Sequence, residues 1–216
     1  LRMRAEKELK AAEHKLEEGC AELSQVRKTA SQKLAGEIRQ GLEDLNFLDV
    51  SFEMEVKRLD HFTPSGYDEA QFLISTNPGE PVKPLGQVAS GGELSRIMLA
   101  IKTVLADTDE IPTLIFDEID TGISGRTAQK VSEKLAYIAK SHQVICITHL
   151  PQIAAMADCH FLIEKTAREG RTATLIRRLT RAEEIGELAR LLGGAKITDA
   201  VRRNAVEMKE LADRTK

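Results

Sequence analysis

The first 45 residues carry hydrophobic and charged positions with the period of a helix. Apolar or small side chains recur four and three residues apart in turn, at Ala5, Leu9, Ala12, Leu16, Gly19, Leu23, Val26 and Ala30. This spacing is typical of the seam of a coiled coil, whose outer positions carry charge. An amphipathic helix packed on a globular domain shows a similar stripe, and that alternative stays open. Both interpretations predict one long helix that continues to Leu45.

A coiled coil needs a partner strand, and the sequence contains no second heptad run. We expect the partner to be another chain or a segment outside this sequence. Because the chain begins inside the periodic pattern, we also expect it to be part of a longer protein. We therefore predict a coiled-coil arm with its entering helix over residues 1–45 and a head lobe over residues 46–216.

The period changes to two after residue 45. Hydrophobic and polar side chains alternate over 48–56 and again over 70–74, which predicts two strands, each with one buried face. A loop containing Pro64 and Gly66 joins them, so we expect an antiparallel pair. Prolines and glycines between residues 78 and 86 then predict an irregular segment.

Helical and strand patterns alternate beyond that segment. The predicted elements are helices over 93–106 and 124–139 and strands over 113–116, 144–148, 161–164 and 172–179. The strands 113–116 and 144–148 are short and almost wholly apolar, as strands buried in parallel sheets are. The last two strands flank a predicted turn at 168–171. The C-terminal region is helical and basic, which is compatible with DNA contact or with an ordinary solvated surface.

Candidate chemistry lies where the apolar strands end. Asp117 and Glu118 follow the first strand, and an acid at such a tip can hold Mg²⁺ while its neighbour orients an attacking water. His149 follows the second strand, so adjacent parallel strands would place it beside these carboxylates. Acids and histidines also end strands without any catalytic role, so these residues need a wider context.

That context is the segment Ser90, Gly91, Gly92 and Glu93 at the start of a helix. Two glycines permit close backbone approach, and a helix N-terminus points N–H groups and a positive dipole end at an anion. A plain glycine-rich helix start capped by serine is the alternative. The arrangement predicts a phosphate site one helix before the acidic strand.

Together these motifs resemble those of the ABC-type ATPases. Residues 90–93 are similar to the signature motif, 114–118 to the Walker B strand, Asp120 to the D-loop acid and His149 to the switch histidine. The strings at 91–96, 117–125 and 147–152 are similar to those of SMC-like bacterial DNA-repair proteins. In those proteins a coiled coil splits the ATPase head.

The resemblance implies an α/β fold: the C-terminal lobe of an ABC/SMC-type P-loop ATPase head, with an N-terminal coiled-coil helix and an antiparallel strand pair. It implies ATP and Mg²⁺ as cofactors, with Asp117 at the metal, Glu118 polarising water and His149 at the γ-phosphate. By the same resemblance, Asp120 and residues 90–93 bind nucleotide, the latter on a second head, so that ATP joins a homodimer.

The implied setting is DNA double-strand-break repair and recombination, with double-stranded DNA or DNA ends as the partner. The chain has a net charge of −3, three cysteines and 42% hydrophobic residues, without an apolar run that could span a bilayer. We therefore expect a soluble, cytoplasmic, nucleoid-associated protein with no membrane partner.

The sequence lacks a G-x-x-x-x-G-K-[ST] loop, the element that wraps the β- and γ-phosphates, and it lacks a Q-loop. In relatives both precede the coiled coil, so we expect a missing N-terminal lobe to carry Walker A and this chain alone to be inactive. A non-hydrolysing coiled-coil scaffold and another SMC-like or helicase-type ATPase stay open as alternatives. Cys146, His149, Cys159 and His160 superficially suggest zinc, but a thiol inside an apolar strand is more typical of a buried cysteine.

Overall fold

The computed structural model describes residues 2–88, 90–168, 171–194 and 196–216. The chain divides into two compact units, residues 1–89 and residues 90–216. The predicted division between an arm and a head after residue 45 concerns the whole protein and stays a prediction. Among the described residues, the structure contains no helix long and apolar enough to cross a bilayer.

The first unit combines one long helix with a small antiparallel sheet. Helix α1 spans Arg2–Asp44 and is followed by β1 (Ser51–Thr63), β2 (Gly66–Ser75) and the short β3 (Lys83–Pro84), in the order β1-β2-β3. The predicted antiparallel pair is confirmed, with Phe52 opposite Ile74. Strand β1 extends past the alternating stretch to Thr63, because its polar second half pairs with the start of β2.

The two halves of α1 have different surroundings. Near its end, Ile38 and Leu42 are fully buried, so this half is an amphipathic helix packed in the unit. Earlier in the helix, seam residues are exposed: Leu9 by 59%, Leu16 by 46% and Val26 by 65%. Side chains of this size stabilise a fold by about 1.5–3 kcal/mol each when they are buried. Within the first unit these seam residues therefore gain only part of that stabilisation.

The second unit contains the alternating helices and strands. They are α2 (Gly91–Val104), β4 (Thr113–Phe116), α3 (Gly125–Ile138), β5 (Gln143–Cys146), α4 (Pro151–Ala155), β6 (Phe161–Arg168), β7 (Arg171–Arg178), α5 (Arg181–Gly193) and α6 (Asp199–Thr215). Strands β4 and β5 pair in parallel, as the predicted neighbourhood of their ends requires. Strands β6 and β7 form an antiparallel hairpin. The turn predicted between them falls partly outside the described residues.

Only one face of the β4–β5 pair is buried, so the prediction of strands covered on both sides is wrong for this chain. Leu114 and Phe116 are 7% and 5% exposed, whereas Ile115 is 68% and Ile145 45% exposed. Parallel sheets bury both faces only where other elements flank both. In the second unit as described, the face that carries Ile115 and Ile145 meets solvent.

The end of the second unit has its own apolar core. Residues of α4, α5 and α6 and the position after α4 form it: Ala154, Ala155, Met156, Leu188, Ala189, Ala205 and Ala212. Lys209 is buried beside it and donates hydrogen bonds to the carbonyls of Ala155 and Ala157, at 2.9 and 2.8 Å. Burial lowers the pKa of Lys209. These bonds connect α6 to the segment that leads into β6.

Candidate functional site

The loop after β4 begins with the two predicted carboxylates. Both Asp117 and Glu118 are exposed, while the next two residues, Ile119 and Asp120, are buried. Glu118 has φ of 56°, a left-handed conformation that costs a residue other than glycine about 1–2 kcal/mol. The Asp117 side chain accepts a hydrogen bond from the Glu118 amide at 2.9 Å, which helps to hold this conformation. Strain of this kind is common at functional sites.

The start of α2 lies directly against this loop. Ser90 caps the helix, since its hydroxyl accepts a hydrogen bond from the Glu93 amide at 3.4 Å. A methyl group at Gly91 would collide with the Glu118 carboxylate. A methyl group at Gly92 would lie 2.9 Å from the Glu118 carbonyl oxygen and 2.9 Å from Cβ of Thr121. Gly92 is thus needed for the close approach of α2 to the loop, and Gly91 leaves room for the Glu118 carboxylate at the positive end of α2.

Two further side chains of α2 attach the helix to the same loop. The Ser95 hydroxyl donates to the Asp117 carbonyl at 2.7 Å. The Arg96 guanidinium donates to the carbonyls of Thr121, at 2.8 Å, and Ile119, at 3.4 Å. Arg96 is 8% exposed, and burial lowers its pKa. These contacts were not predicted from the sequence, although Arg96 closes the string on which the resemblance rests.

The segment after β5 is attached to this loop by Asp120. One carboxylate oxygen, Oδ2, accepts hydrogen bonds from the Thr148 hydroxyl at 2.6 Å and from the His149 amide at 2.8 Å. The same oxygen lies 3.0 Å from Nδ1 of His149. The Asp120 side chain is 5% exposed and that of His149 is 73% exposed. The parallel pairing of β4 and β5 thus brings His149 to the acidic loop.

Cys146, at the end of β5, is a protonated thiol. Burial, with the nearby charges of Asp120 and Asp117, raises its pKa to about 12. A thiolate is the form of cysteine that binds metal, and this environment opposes it. The structure therefore favours the interpretation of Cys146 as a half-buried thiol over the zinc alternative.

Comparisons with known proteins identify relatives over most of the chain. No family model matches it. The chain is 44% identical to the DNA repair protein RecN of Bacillus subtilis, over 91% of this chain and 37% of the relative. It is 44% identical to RecN of Halalkalibacterium halodurans, over 91% of this chain and 36% of that protein. The chain thus spans little more than a third of the length of these relatives.

Among solved structures, the fold is similar to SMC head domains. An Smc head domain with a coiled coil and joint from Pyrococcus yayanosii matches with a TM-score of 0.52 and 20% identity, over 76% of this chain and 29% of that chain. An Smc head domain with an extended coiled coil from Pyrococcus furiosus, bound to the C-terminal domain of ScpA, matches with a TM-score of 0.50 and 22% identity, over 79% and 41%. At these identities the likeness concerns the fold.

The second unit and the helix and strand pair before it have the fold of part of an SMC head domain, which confirms the predicted fold class. Within that class the two RecN relatives share 44% of their aligned residues with this chain. Over 91% of its length the chain is similar to the RecN proteins, so the predicted resemblance to SMC-like DNA-repair proteins is confirmed.

Proposed function

We propose that this chain forms the C-terminal half of a head that binds and hydrolyses ATP in a RecN-like DNA repair protein. The observation that carries the proposal is the meeting of three motifs in the second unit. Glu118 lies against Gly91 at the start of α2, and Asp120 contacts His149. Phosphoryl transfer to water depends on positioning and electrostatics, and groups at the ends of rigid strands supply both.

Each side chain has a role in this proposal. Asp117 would hold Mg²⁺, which prefers oxygen ligands and keeps several of its waters. The site fits the ion, because the Asp117 carboxylate is exposed at a strand tip and oriented through the Glu118 amide. The bound ion would neutralise charge on the phosphates. Glu118 orients the attacking water, and the exposed ring of His149 contacts the γ-phosphate.

The preceding lobe, which carries Walker A, would complete the head on the open face of β4 and β5. Ile115 and Ile145 make that face apolar, and they are 68% and 45% exposed in this chain. Covering them would remove apolar surface from water, which stabilises the contact by about 25 cal/mol for each Å² buried. The phosphate-binding loop of that lobe would supply the main backbone donors for ATP, so this chain alone is inactive.

The start of α2 would serve ATP on a second head. If Walker A already wraps the phosphates, residues 90–93 can approach only from the open side, and a symmetric homodimer builds two composite sites. Mixed dimers test this arrangement in the full-length protein, with one subunit carrying Ser90→Arg and the other lacking its Walker A lysine. Random mixing should restore roughly a quarter of wild-type ATPase activity. Activity that stays absent although mixed dimers form would contradict the arrangement.

The biological setting proposed is double-strand-break repair and recombination at the nucleoid, in the cytoplasm. The support is the name of the relatives, DNA repair protein RecN, which are 44% identical to this chain. ATP-dependent engagement of two heads would control how the protein holds DNA. Double-stranded DNA or DNA ends are the proposed substrate.

Glu118→Gln in the full-length protein tests the hydrolytic role. The amide keeps the shape of the side chain but is a poor base toward water, so hydrolysis should fall by about 10²- to 10⁴-fold. ATP binding should persist, because Asp117 is intact, and the ATP-dependent dimer should live longer by light scattering. Glu110→Gln, an exposed carboxylate before β4, is the matched control with normal activity.

Two results would refute this role. Wild-type hydrolysis by Glu118→Gln would show that another group serves the water. No ATPase activity in the wild-type full-length protein, with normal DNA binding, would instead favour the non-hydrolysing scaffold.

A further inference from the structure

The buried carboxylate of Asp120 joins the two loops that carry Glu118 and His149. Its Oδ2 atom accepts two hydrogen bonds from the segment after β5, from the Thr148 hydroxyl and the His149 amide. The Asp120 side chain is 5% exposed, so its contacts lie within the protein and not with solvent. A carboxylate in this position is poorly placed to reach a nucleotide itself.

The ring of His149, by contrast, is not held by packing. Its side chain is 73% exposed, so burial contributes little to its orientation. The contact that distinguishes its two nitrogens is with Asp120, whose Oδ2 lies 3.0 Å from Nδ1. Nε2 occupies the far edge of the ring, away from the carboxylate. A carboxylate beside one nitrogen of a histidine selects the tautomer and the orientation of the ring.

We propose that Asp120 is a positioning residue for His149: it keeps a proton on Nδ1 and presents Nε2 outward. The group that Nε2 would meet is the γ-phosphate, and this part of the inference rests on the proposed ATPase function. A ring that carries a proton on both nitrogens would donate from Nε2 to the γ-phosphate, while the Asp120 carboxylate balances the charge of the ring. A neighbouring carboxylate performs the same two tasks for the histidine of a Ser-His-Asp triad.

The tautomer can be measured on this chain without any nucleotide. Long-range ¹H–¹⁵N NMR spectra of histidine-labelled protein at pH 8, above the ordinary imidazole pKa of about 6.5, report which nitrogen carries the proton. The chain has five histidines, and His149→Gln identifies the signals of His149 by their loss. We expect wild-type protein to carry the proton on Nδ1.

Asp120→Asn is the decisive variant. The amide keeps the size and places its oxygen before the two donors of this segment, but it carries no charge. An uncharged acceptor holds a proton on Nδ1 less strongly than a carboxylate does, so the exposed ring can carry its proton on Nε2 instead. Thr148→Val is the matched control, because it removes a hydrogen bond to the same Oδ2 without touching the imidazole. We expect the proton to move in Asp120→Asn and to stay on Nδ1 in Thr148→Val. A proton on Nε2 in the wild type, or an unchanged tautomer in Asp120→Asn, would overturn the proposal.

Kinetics of the full-length protein add a second readout. Loss of a partner that orients a functional side chain commonly costs about 10- to 100-fold in activity, and we expect this for Asp120→Asn. If Asp120 acts through His149, adding Asp120→Asn to His149→Ala should cause no further loss. Multiplying losses would overturn the proposal, since they indicate an independent role. Failure of the ATPase function itself would appear as an inactive wild type and would leave the NMR result unaffected, so the two failures are distinguishable.

Discussion

Replacing Gly92 with alanine tests whether the start of α2 is packed against the acidic loop. The added methyl group would lie 2.9 Å from the Glu118 carbonyl oxygen, 2.9 Å from Cβ of Thr121 and 3.2 Å from the Thr121 carbonyl oxygen. Two of these atoms belong to the backbone and cannot rotate away. Either α2 or the loop must therefore move.

The expected loss of stability follows from two unfavourable contributions and one favourable contribution. Overpacking of this kind costs about 1–3 kcal/mol. Movement of α2 would also lengthen the hydrogen bonds of Ser95 and Arg96 to the loop, each contributing about 0.5–1.5 kcal/mol. Alanine is the better helix former by at most about 1 kcal/mol. We expect a net loss of about 2 kcal/mol in the free energy of unfolding of the second unit.

Two other glycines provide controls. At Gly91 the added methyl group would meet only the side chain of Glu118, which is exposed and can turn away, so Gly91→Ala should cost less than Gly92→Ala. At Gly186, inside α5, an added methyl group meets nothing within 4 Å. Gly186→Ala should therefore stabilise by about 0.5–1 kcal/mol.

Native-state amide hydrogen exchange in α2 is the appropriate assay. The two compact units need not unfold together, so a global melting temperature would mix their contributions. We expect protection in the core of α2, at Leu99 and Ala100, to fall in Gly92→Ala by the free energy given above. If protection in Gly92→Ala were unchanged or increased, as expected for α5 in Gly186→Ala, the close contact between α2 and the loop would be refuted.

Two further predictions use the isolated chain. Calorimetric titration with Mg-ATP should detect no tight binding, because the sequence lacks the loop that wraps the β- and γ-phosphates; micromolar affinity would contradict the half-site interpretation. The second concerns the capping box of α5, in which the Thr180 amide and hydroxyl and Arg177 lower the pKa of Glu183 to about 2. Because the folded pKa lies below the ordinary value of 4.5, the contribution of Glu183 to α5 stability is complete above pH 4.5 and is lost as the pH falls toward 2. Exchange in α5 should show this loss, and Glu183→Gln should remove that part of the pH dependence.

Local pattern predicted the elements of the site well, and the deviations have physical causes. Strand β4 covers Thr113–Phe116, as the apolar run indicates. Strand β5 ends at Cys146 and not at residue 148, because Thr148 and His149 turn to bind Asp120. Helix α2 begins at Gly91, earlier than the predicted residue 93, since Ser90 caps it.

Other features of the site depend on contacts that no local pattern contains. Arg96 lies 25 positions before Thr121 in the chain, and Asp120 lies 28 positions before Thr148. A polar residue in a helix or loop has the same local signal whether it faces solvent or a distant carbonyl. The exposed face of β4 and β5 was missed for the same reason, because an apolar strand does not reveal whether its covering element is present.

The sequence by itself determined which segments become helix or strand, that β4 and β5 end at neighbouring points, and which polar side chains stand at those ends. These properties follow from periodicity, from glycines and caps, and from the parallel direction of adjacent strands. Only the tertiary structure decided that Glu118 adopts a left-handed backbone against Gly91 and that the Asp120 carboxylate points inward to His149. The reason is that these contacts join residues far apart in the chain, so their geometry is set by how α2, β4 and β5 pack and not by the residues next to them.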